Sequence, residues 1–396
     1  MDVARAAVVE SHVDADDRVD VGDVLRAQHR LRRHLPITPL HYAERFGCWL
    51  KLENLQHTGS YKVRGALNAL LAAAERGDDR PVIAASAGNH AQGLAWAGYR
   101  LRHPVITVMP RNAPENKVAG VSHWGATVRL HGDCFDEARQ FAMDLAERNG
   151  YRFLSAFDDP DVIAGQGTVG LELAEHLPDV VIVPIGGGGL AAGVALALKT
   201  QGVRIVGAQI EGVDVMANRL RASSDDISVD AVAATLGDGV RVADPGRLTR
   251  RILQSRIDDV VVVREAELRE TLVRLLLEVH VLAEGAGALA LAAGRRVPGK
   301  RKCAVVSGGN IDAAVIAQLL SEVRPRAPRR PRRRTALPPT PPAFRTDAAV
   351  AISRIAGGAD GAARQESYPR SSSPKSSRDS ALTPPRATRT ESPVEA

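Results

Sequence analysis

Cysteine is scarce in this chain. Three residues, Cys48, Cys134 and Cys303, are spread over 396 positions. An odd, widely spaced set excludes a disulfide scaffold and a four-cysteine zinc centre, and it suits a reducing cytosol. The first residues carry no basic start followed by an apolar run, so no secretory signal is expected. An uninterrupted apolar stretch of the roughly 20 residues that a membrane span needs is also missing. The most apolar run, Val180 to Leu198, is broken by Pro184, by Gly186 to Gly189 and by Gly193. It reads as a buried strand, a glycine loop and a helix. Its glycines form neither GxGxxG nor a Walker A loop. That sets aside a nicotinamide dehydrogenase, whose phosphate turn needs the first pattern.

Apolar residues are plentiful, at 44%, beside 25% charged residues and a formal net charge of +6. This is enough for a large core and for two or three domains, or two domains and an unstructured segment. The charge is uneven. Residues 324–396 hold 15 of the 52 Lys and Arg, 6 of the 46 Asp and Glu, and 12 of the 23 prolines. The rest of the chain is slightly acidic, with 37 basic and 40 acidic residues. A Pro/Arg/Ser-rich segment with few large apolar side chains cannot offset the entropy of ordering, so 324–396 is expected to be disordered. Such a tail can touch nucleic acid or anionic lipid. It lacks interleaved aromatics for a specific site, so a solvated extension is the simpler reading.

Upstream, short Val- and Ile-rich runs alternate with helical patterns. Expected strands are Val82–Ala85, Val105–Met109, Thr127–Leu130, Val180–Ile185, Ile205–Gln209, Val260–Val263 and Cys303–Val306. Expected helices are Lys62–Arg76, Ala91–Arg102, Phe135–Asn149, Gly165–His176, Leu190–Thr200, Glu265–His280 and Gly285–Gly294. Strands buried on both faces, joined by helices, predict an open α/β fold with mostly parallel sheets. Ligands then bind beyond the carboxyl ends of the strands. Three glycine loops stand there: Ser86-Ala87-Gly88-Asn89-His90, Gly186 to Gly189 followed by Leu190, and Ser307-Gly308-Gly309-Asn310. The second either surrounds a phosphate with backbone amides at a helix start or makes a tight connection. The third is either a hydrogen-bonding corner or a helix cap. Gly237-Asp238-Gly239 reads on its own as a surface turn. Lys62 opens an apolar helix, where desolvation favours the neutral amine that forms Schiff bases; a surface lysine is the plainer alternative.

Taken together, these segments resemble a known family. The string Lys51 to Ala66 (KLENLQHTGSYKVRGA) is similar to the lysine motif of pyridoxal-phosphate enzymes of fold type II. Ser86 to Gly93 (SAGNHAQG) resembles their substrate-carboxylate loop, and Phe157 to Thr168, Gly186 to Gly189, Glu284 to Ala288 and Ser307 to Asn310 follow in the family's order. The resemblance covers about residues 20 to 323 and is strongest to the threonine dehydratases, with serine racemase and serine dehydratase nearby.

The resemblance implies a set of roles. Lys62 would hold pyridoxal 5'-phosphate as a Schiff base and later move the Cα proton. Gly186, Gly187, Gly188, Gly189 and Leu190 would bind its phosphate, Asn89 its ring 3′-oxygen, and Ser307 its pyridine nitrogen. Tyr61, where most relatives have Phe, and Glu284 would complete the cofactor site. Ser86, Ala87, Gly88, Asn89 and His90, with Gly239, would contact the substrate. The implied reaction is β-elimination of water from L-threonine, and from L-serine, followed by hydrolysis of the released enamine to 2-oxobutyrate or pyruvate and ammonia; another hydroxyamino acid such as 3-hydroxyaspartate stays open. Ala87 stands where racemases carry a second serine, so no opposite-face acid and no racemisation is expected. Glu211 and Asp214 lack the later carboxylate of a metal set, so no divalent-metal site is expected. No regulatory module that senses isoleucine is recognisable after residue 323.

The implied architecture is a tryptophan synthase β-like pair of open α/β domains. Residues 20–74 and 159–323 would form the large cofactor-binding domain, 75–158 a small mobile domain, and 1–19 an N-terminal extension. A cytoplasmic homo-oligomer, dimer or tetramer, with no membrane association and no nucleic-acid partner, completes the expectation.

Overall fold

The computed structural model describes residues 19–222 and 234–322. The expected tail 324–396 and, apart from Val19, the expected extension 1–19 lie outside the described residues.

The described strands are β1 (Leu40–Ala43), β2 (Cys48–Leu52), β3 (Val82–Ala85), β4 (Val105–Met109), β5 (Thr127–Leu130), β6 (Arg152–Phe153), β7 (Val180–Pro184), β8 (Arg204–Ile210), β9 (Asp259–Val263) and β10 (Lys302–Val306). The helices are α1 (Val21–Leu31), α2 (Lys62–Glu75), α3 (Asn89–Leu101), α4 (Glu115–Ser122), α5 (Phe135–Asn149), α6 (Pro160–Ala174), α7 (Gly189–Leu198), α8 (Val215–Ala222), α9 (Arg247–Arg256), α10 (Glu265–Arg274), α11 (Gly285–Gly294) and α12 (Ala313–Ser321).

The strands form two sheets. The larger has the order β1-β2-β10-β7-β8-β9, and the smaller β5-β4-β3-β6. All neighbours are parallel except the β1–β2 hairpin. The seven strands expected from the sequence are present, with ends moved by at most one residue. Parallel strands covered on both faces need apolar side chains throughout, and β7 shows this: Val180, Val181, Ile182 and Val183 are all fully buried.

Several helix ends shift by one or two residues from the sequence reading, α7 running Gly189–Leu198 rather than Leu190–Thr200 among them, and three differences bear on the site or its frame. Helix α6 starts at Pro160 rather than Gly165, because Asp159 caps it by accepting from Val162 N, and proline suits a first helical position. Helix α3 begins at Asn89, so Asn89 and His90 belong to its first turn. The expected helix 265–280 is α10 followed by a wider π turn, Leu275–Val279, which ends at His280 in the left-handed region (φ 61°).

Helix α7 is apolar on every side and wholly buried, which requires neighbours all round. It packs on α6 without spacing side chains: a β-carbon on Gly193 would fall 2.5 Å from the Gly167 nitrogen. This close approach sets α7, and the loop that opens it, firmly against α6. The loops after β3, β7 and β10 carry Ser86–His90, Gly186–Gly189 and Ser307–Asn310, each at the carboxyl end of its strand.

Candidate active site

Lys62 opens α2, and a short antiparallel ladder fixes its approach. Ser60 bridges Gly308, Tyr61 N donates to Ser307 O (3.1 Å), and Gly309 N donates to Gly59 O (2.9 Å). The turn before Lys62 is therefore tied to the loop after β10, 246 to 250 residues away in sequence. The Lys62 amine donates to Ala156 O (2.8 Å) and lies 5.3 Å from the Tyr61 ring centre. Burial lowers its pKa from 10.5 to about 8, opposed by the nearby Glu284 carboxylate. Burial, with that same carboxylate, pushes the Tyr61 phenol well above its ordinary range.

Ala156 leads to Phe157, which links the lysine to the glycine loop. A β-carbon on Gly187 would collide with the Phe157 ring, and one on Gly189 would meet its backbone at 2.9 Å. Gly188 has φ +98°, a conformation that favours glycine. The carbonyl of Gly187 accepts from Thr249 Oγ1 (2.6 Å) and Gly246 N (3.2 Å). Asp158 in turn accepts from the backbone N–H groups of Arg247 and Thr249, both at 3.0 Å. The loop's carbonyl side is thus engaged, while the first amides of α7, Gly189 and Leu190, have no partner within their helix. This is an anion cradle by construction.

Glu284 caps the opposite wall at the start of α11, with its backbone N–H donating to Gly308 O (3.1 Å). Its carboxylate accepts from Asn89 Nδ2 (2.6 Å), and Asn89 Oδ1 accepts from Asn310 Nδ2 (2.8 Å). Burial raises the Glu284 pKa from 4.5 to about 7; the Asn89 bond pulls it down, Asp238 raises it further, and Lys117 and Lys62 lower it. Ser307 is buried, and its hydroxyl donates to Ala286 O (3.3 Å). Ser86 Oγ accepts from Gly88 N (3.2 Å), so the Ser86–His90 loop folds back on its own hydroxyl. His90 is buried beside Lys62, and desolvation, then that charge, lowers its pKa to about 3, so it is neutral. Ala87 is half-buried against the core of the small sheet. Gly239 lies at the rim, where a β-carbon would come 3.0 Å from Ala286 and 3.9 Å from Glu284. Beside it, Asp238 pairs with Lys117 of α4 at 3.6 Å.

The structure therefore gathers Lys62, Tyr61, Asn89, Glu284 and Ser307 in one place, with Gly186–Leu190 joined to it through Ala156 and Phe157. Sequence reasoning missed Thr249 and Ala156, which carry no motif, and gave no role to Asp158, although it lies in the Phe157 to Thr168 string. It also passed over a buried ionic network two residues from the lysine. Arg64 donates to Glu53 and to Glu172, and Lys51 also pairs with Glu172. Burial alone would raise the Glu53 pKa, but the Arg64 charge and hydrogen bonds, with Lys51 and Thr38, hold it below 4.5. Among the described residues, no group of three or more His, Cys, Asp or Glu side chains could hold a metal ion.

A buried amine of lowered pKa, joined through Ala156 and Phe157 to a glycine loop at a helix start, is an arrangement that could hold a phosphorylated carbonyl cofactor in an α/β enzyme. Pyridoxal phosphate fits these groups: an amine for its aldehyde, helix-start amides for its phosphate, and glycines where side chains would obstruct it. The comparisons agree. The family model "Pyridoxal-phosphate dependent enzyme" matches residues 31–308. The chain is 41% identical over 317 residues to the L-threonine ammonia-lyase of Thermotoga maritima, covering 77% of this chain and 79% of that protein. It is 40% identical over 324 residues to the catabolic L-threonine dehydratase TdcB of Escherichia coli K12, covering 78% and 98%. A solved structure of threonine deaminase isoform 2 from Solanum lycopersicum superposes with a TM-score of 0.71 at 34% identity, covering 76% of this chain and 86% of that one. The chain belongs to the pyridoxal-phosphate-dependent enzyme family.

Proposed function

We propose that this enzyme eliminates water from L-threonine, and from L-serine, to release an enamine whose imine form takes the water back on hydrolysis, so that the net products are ammonia with 2-oxobutyrate or pyruvate. The observation that carries the reading is the Lys62 amine, buried, lowered in pKa and hydrogen-bonded to the carbonyl of Ala156, the residue before the Phe157 ring that lies against Gly187. Relatives named for L-threonine support the substrate. Bound pyridoxal phosphate supplies an aldehyde that captures an amine and a conjugated ring that takes up the electron pair left when Cα loses its proton.

The chain's residues do the rest. Lys62 would hold the cofactor, and its free amine would accept the Cα proton at Nζ; its lowered pKa makes the neutral base available near pH 8. Gly186 to Leu190 hold the phosphate with backbone N–H groups. Asn89 donates to the ring oxygen, and Tyr61 and Glu284 flank the ring. Ser307 would meet the pyridine nitrogen with a hydroxyl instead of a carboxylate, a partner that does not promote its protonation and so would favour loss of the β-hydroxyl over transamination. Ser86 to His90, with Gly239 at the rim, clamp the substrate carboxylate. Ala87 cannot carry a proton on the opposite face, so elimination proceeds without racemisation.

Residues 75–158 act as a small unit that closes on the large one and excludes water. The Asn89–Glu284 and Lys117–Asp238 contacts, which join the two sheet-bearing segments, support this. A homo-oligomer in a reducing cytoplasm completes the proposal. Leu55, Leu277 and Leu282 are exposed near an apolar hollow lined by Leu272, Leu276, Leu282 and Leu320. Among the described residues, no helix is long and apolar enough to cross a membrane.

The test is 2-oxo acid release from L-threonine and L-serine by the protein purified with pyridoxal phosphate, with Lys62→Ala as control. Release from threonine that the variant abolishes supports the reading. Cofactor binding without reaction of either amino acid would redirect it to another hydroxyamino acid.

A further inference from the structure

Asn310 has no assigned role, yet it sits at the middle of a polar chain through the site. Its Nδ2 donates to Thr58 O and to Asn89 Oδ1, both at 2.8 Å. Asn89 Nδ2 then donates to Glu284 Oε1 at 2.6 Å. The chain crosses four segments: the turn before α2, the loop after β10, the first turn of α3 and the cap of α11. Its ends fix its direction. Thr58 O is a backbone carbonyl and can only accept, so Asn310 must turn its amide nitrogen toward it. The second N–H of that same nitrogen goes to Asn89, which must therefore present oxygen to Asn310 and nitrogen to Glu284. Asn89 is left with one unspent N–H.

The backbone holds Asn310 in register. Thr58 and Gly59 both lie in the left-handed region (φ 62° and 69°). A β-carbon on Gly59 would fall 2.5 Å from Asn310 Oδ1, so this turn leaves room for the Asn310 side chain only because residue 59 has none of its own. Gly309 N donates to Gly59 O and locks the neighbouring residue. An isolated asparagine side chain can present oxygen or nitrogen with almost no change of shape. Here one orientation is enforced from both sides.

We propose that Asn310 is a positioning residue that, together with Glu284, orients the Asn89 amide as a hydrogen-bond donor to the bound ring oxygen. The proposal rests on the reading of Asn89 as the group facing that oxygen. A donor there favours the anionic oxygen, whereas an acceptor would favour its protonated form.

The experiment compares wild type, Asn310→Asp, Asn310→Ala, Asn89→Ala and the Asn89→Ala/Asn310→Asp double variant, each loaded with pyridoxal phosphate. The readouts are the visible absorption band of the bound cofactor and the cofactor affinity; denaturant unfolding of each apoprotein checks the fold. In Asn310→Asp a carboxylate oxygen meets both the Thr58 carbonyl and Asn89 Oδ1, so the Asn89 amide flips. The band should move to the shorter wavelength of the protonated ring oxygen, with affinity down about tenfold, the scale of one lost hydrogen bond. Asn310→Ala frees the amide without reversing it and should give a smaller shift; it serves in place of Asn310→Asp if that variant does not fold. The double variant should match Asn89→Ala alone, because Asn310 acts through Asn89. An unchanged band in both Asn310 variants, or effects that add in the double variant, overturns the relay. A wild-type protein that takes up no cofactor overturns the reading of the site, and the relay with it.

Discussion

Replacing Gly188 with alanine probes the anion cradle, and the structure sets the size of the effect. Gly188 has φ +98° and ψ −12°. An L side chain in left-handed backbone costs about 1–2 kcal/mol. The new β-carbon would lie 2.8 Å from Thr249 Cβ and 3.0 Å from Met216 Cε. Thr249 is fully buried, and its hydroxyl donates to Gly187 O at 2.6 Å, so it cannot turn away without losing that bond. Overpacking of this kind costs about 1–3 kcal/mol. Alanine recovers about 0.4–1 kcal/mol by restricting the unfolded chain. The net expectation is a loss of about 2–4 kcal/mol. Gly150 is the matched control. It has φ +66°, but a β-carbon there meets nothing within 4 Å, so Gly150→Ala carries the strain without the crowding. Its expected loss is about 1 kcal/mol. Denaturant unfolding of the two apoproteins measures the difference, and titration with pyridoxal phosphate should show weakened binding in Gly188→Ala alone. Equal stability losses and equal cofactor affinities in the two variants would refute the reasoning.

Further expectations follow from the buried charges and from the site. Arg64→Met leaves Glu53 buried beside fewer partners and should cost about 3–5 kcal/mol in denaturant unfolding. Glu53 is held below its ordinary 4.5 in the folded chain, so its contribution to stability is present above pH 4.5 and is lost as pH falls through the folded value. In Arg64→Met burial dominates and raises that pKa, so melting temperature measured against pH should begin its acid decline at higher pH than in wild type. The rate at which the apoenzyme captures pyridoxal phosphate should rise with pH and level off above about 8, where the Lys62 amine is neutral; a rise continuing toward 10.5 would mean an unperturbed lysine. With L-serine as substrate, chiral chromatography should show pyruvate formation with no more than trace D-serine, because residue 87 is alanine; substantial D-serine would demand an opposite-face acid elsewhere.

The parallel core was legible because central strands such as β3, β4 and β7 are mostly buried and read as short apolar runs; β3, β4 and the largely exposed edge strand β5 match their expected bounds. The β1–β2 hairpin was not, since Leu40–Ala43 carries His41 and Tyr42 and gains its order from pairing with Cys48–Leu52. The glycine loop stood out next to a predicted strand end, whereas Lys62 read only as a lysine opening an apolar helix until the surrounding string was seen to resemble the family's lysine motif. Thr249 did not stand out, because a lone threonine carries no local signal; Asp158 lies within the Phe157 to Thr168 string, but its work, like that of Thr249, is to hold backbone groups of a segment tens of residues away. Lys51, Glu53, Arg64 and Glu172 look like surface charges in sequence; only the packing of α2 on α6 brings them together out of water. The Asn310–Asn89 contact joins positions 221 residues apart, beyond the reach of any motif.

The central claim is that Lys62 carries the cofactor. Reducing the holoenzyme with borohydride fixes the cofactor to its lysine, and peptide mass spectrometry locates it. The account predicts the added mass on the peptide containing Lys62, and its loss when L-threonine is supplied before the reductant. Labelling of another lysine, or label on Lys62 that threonine leaves in place, would contradict it.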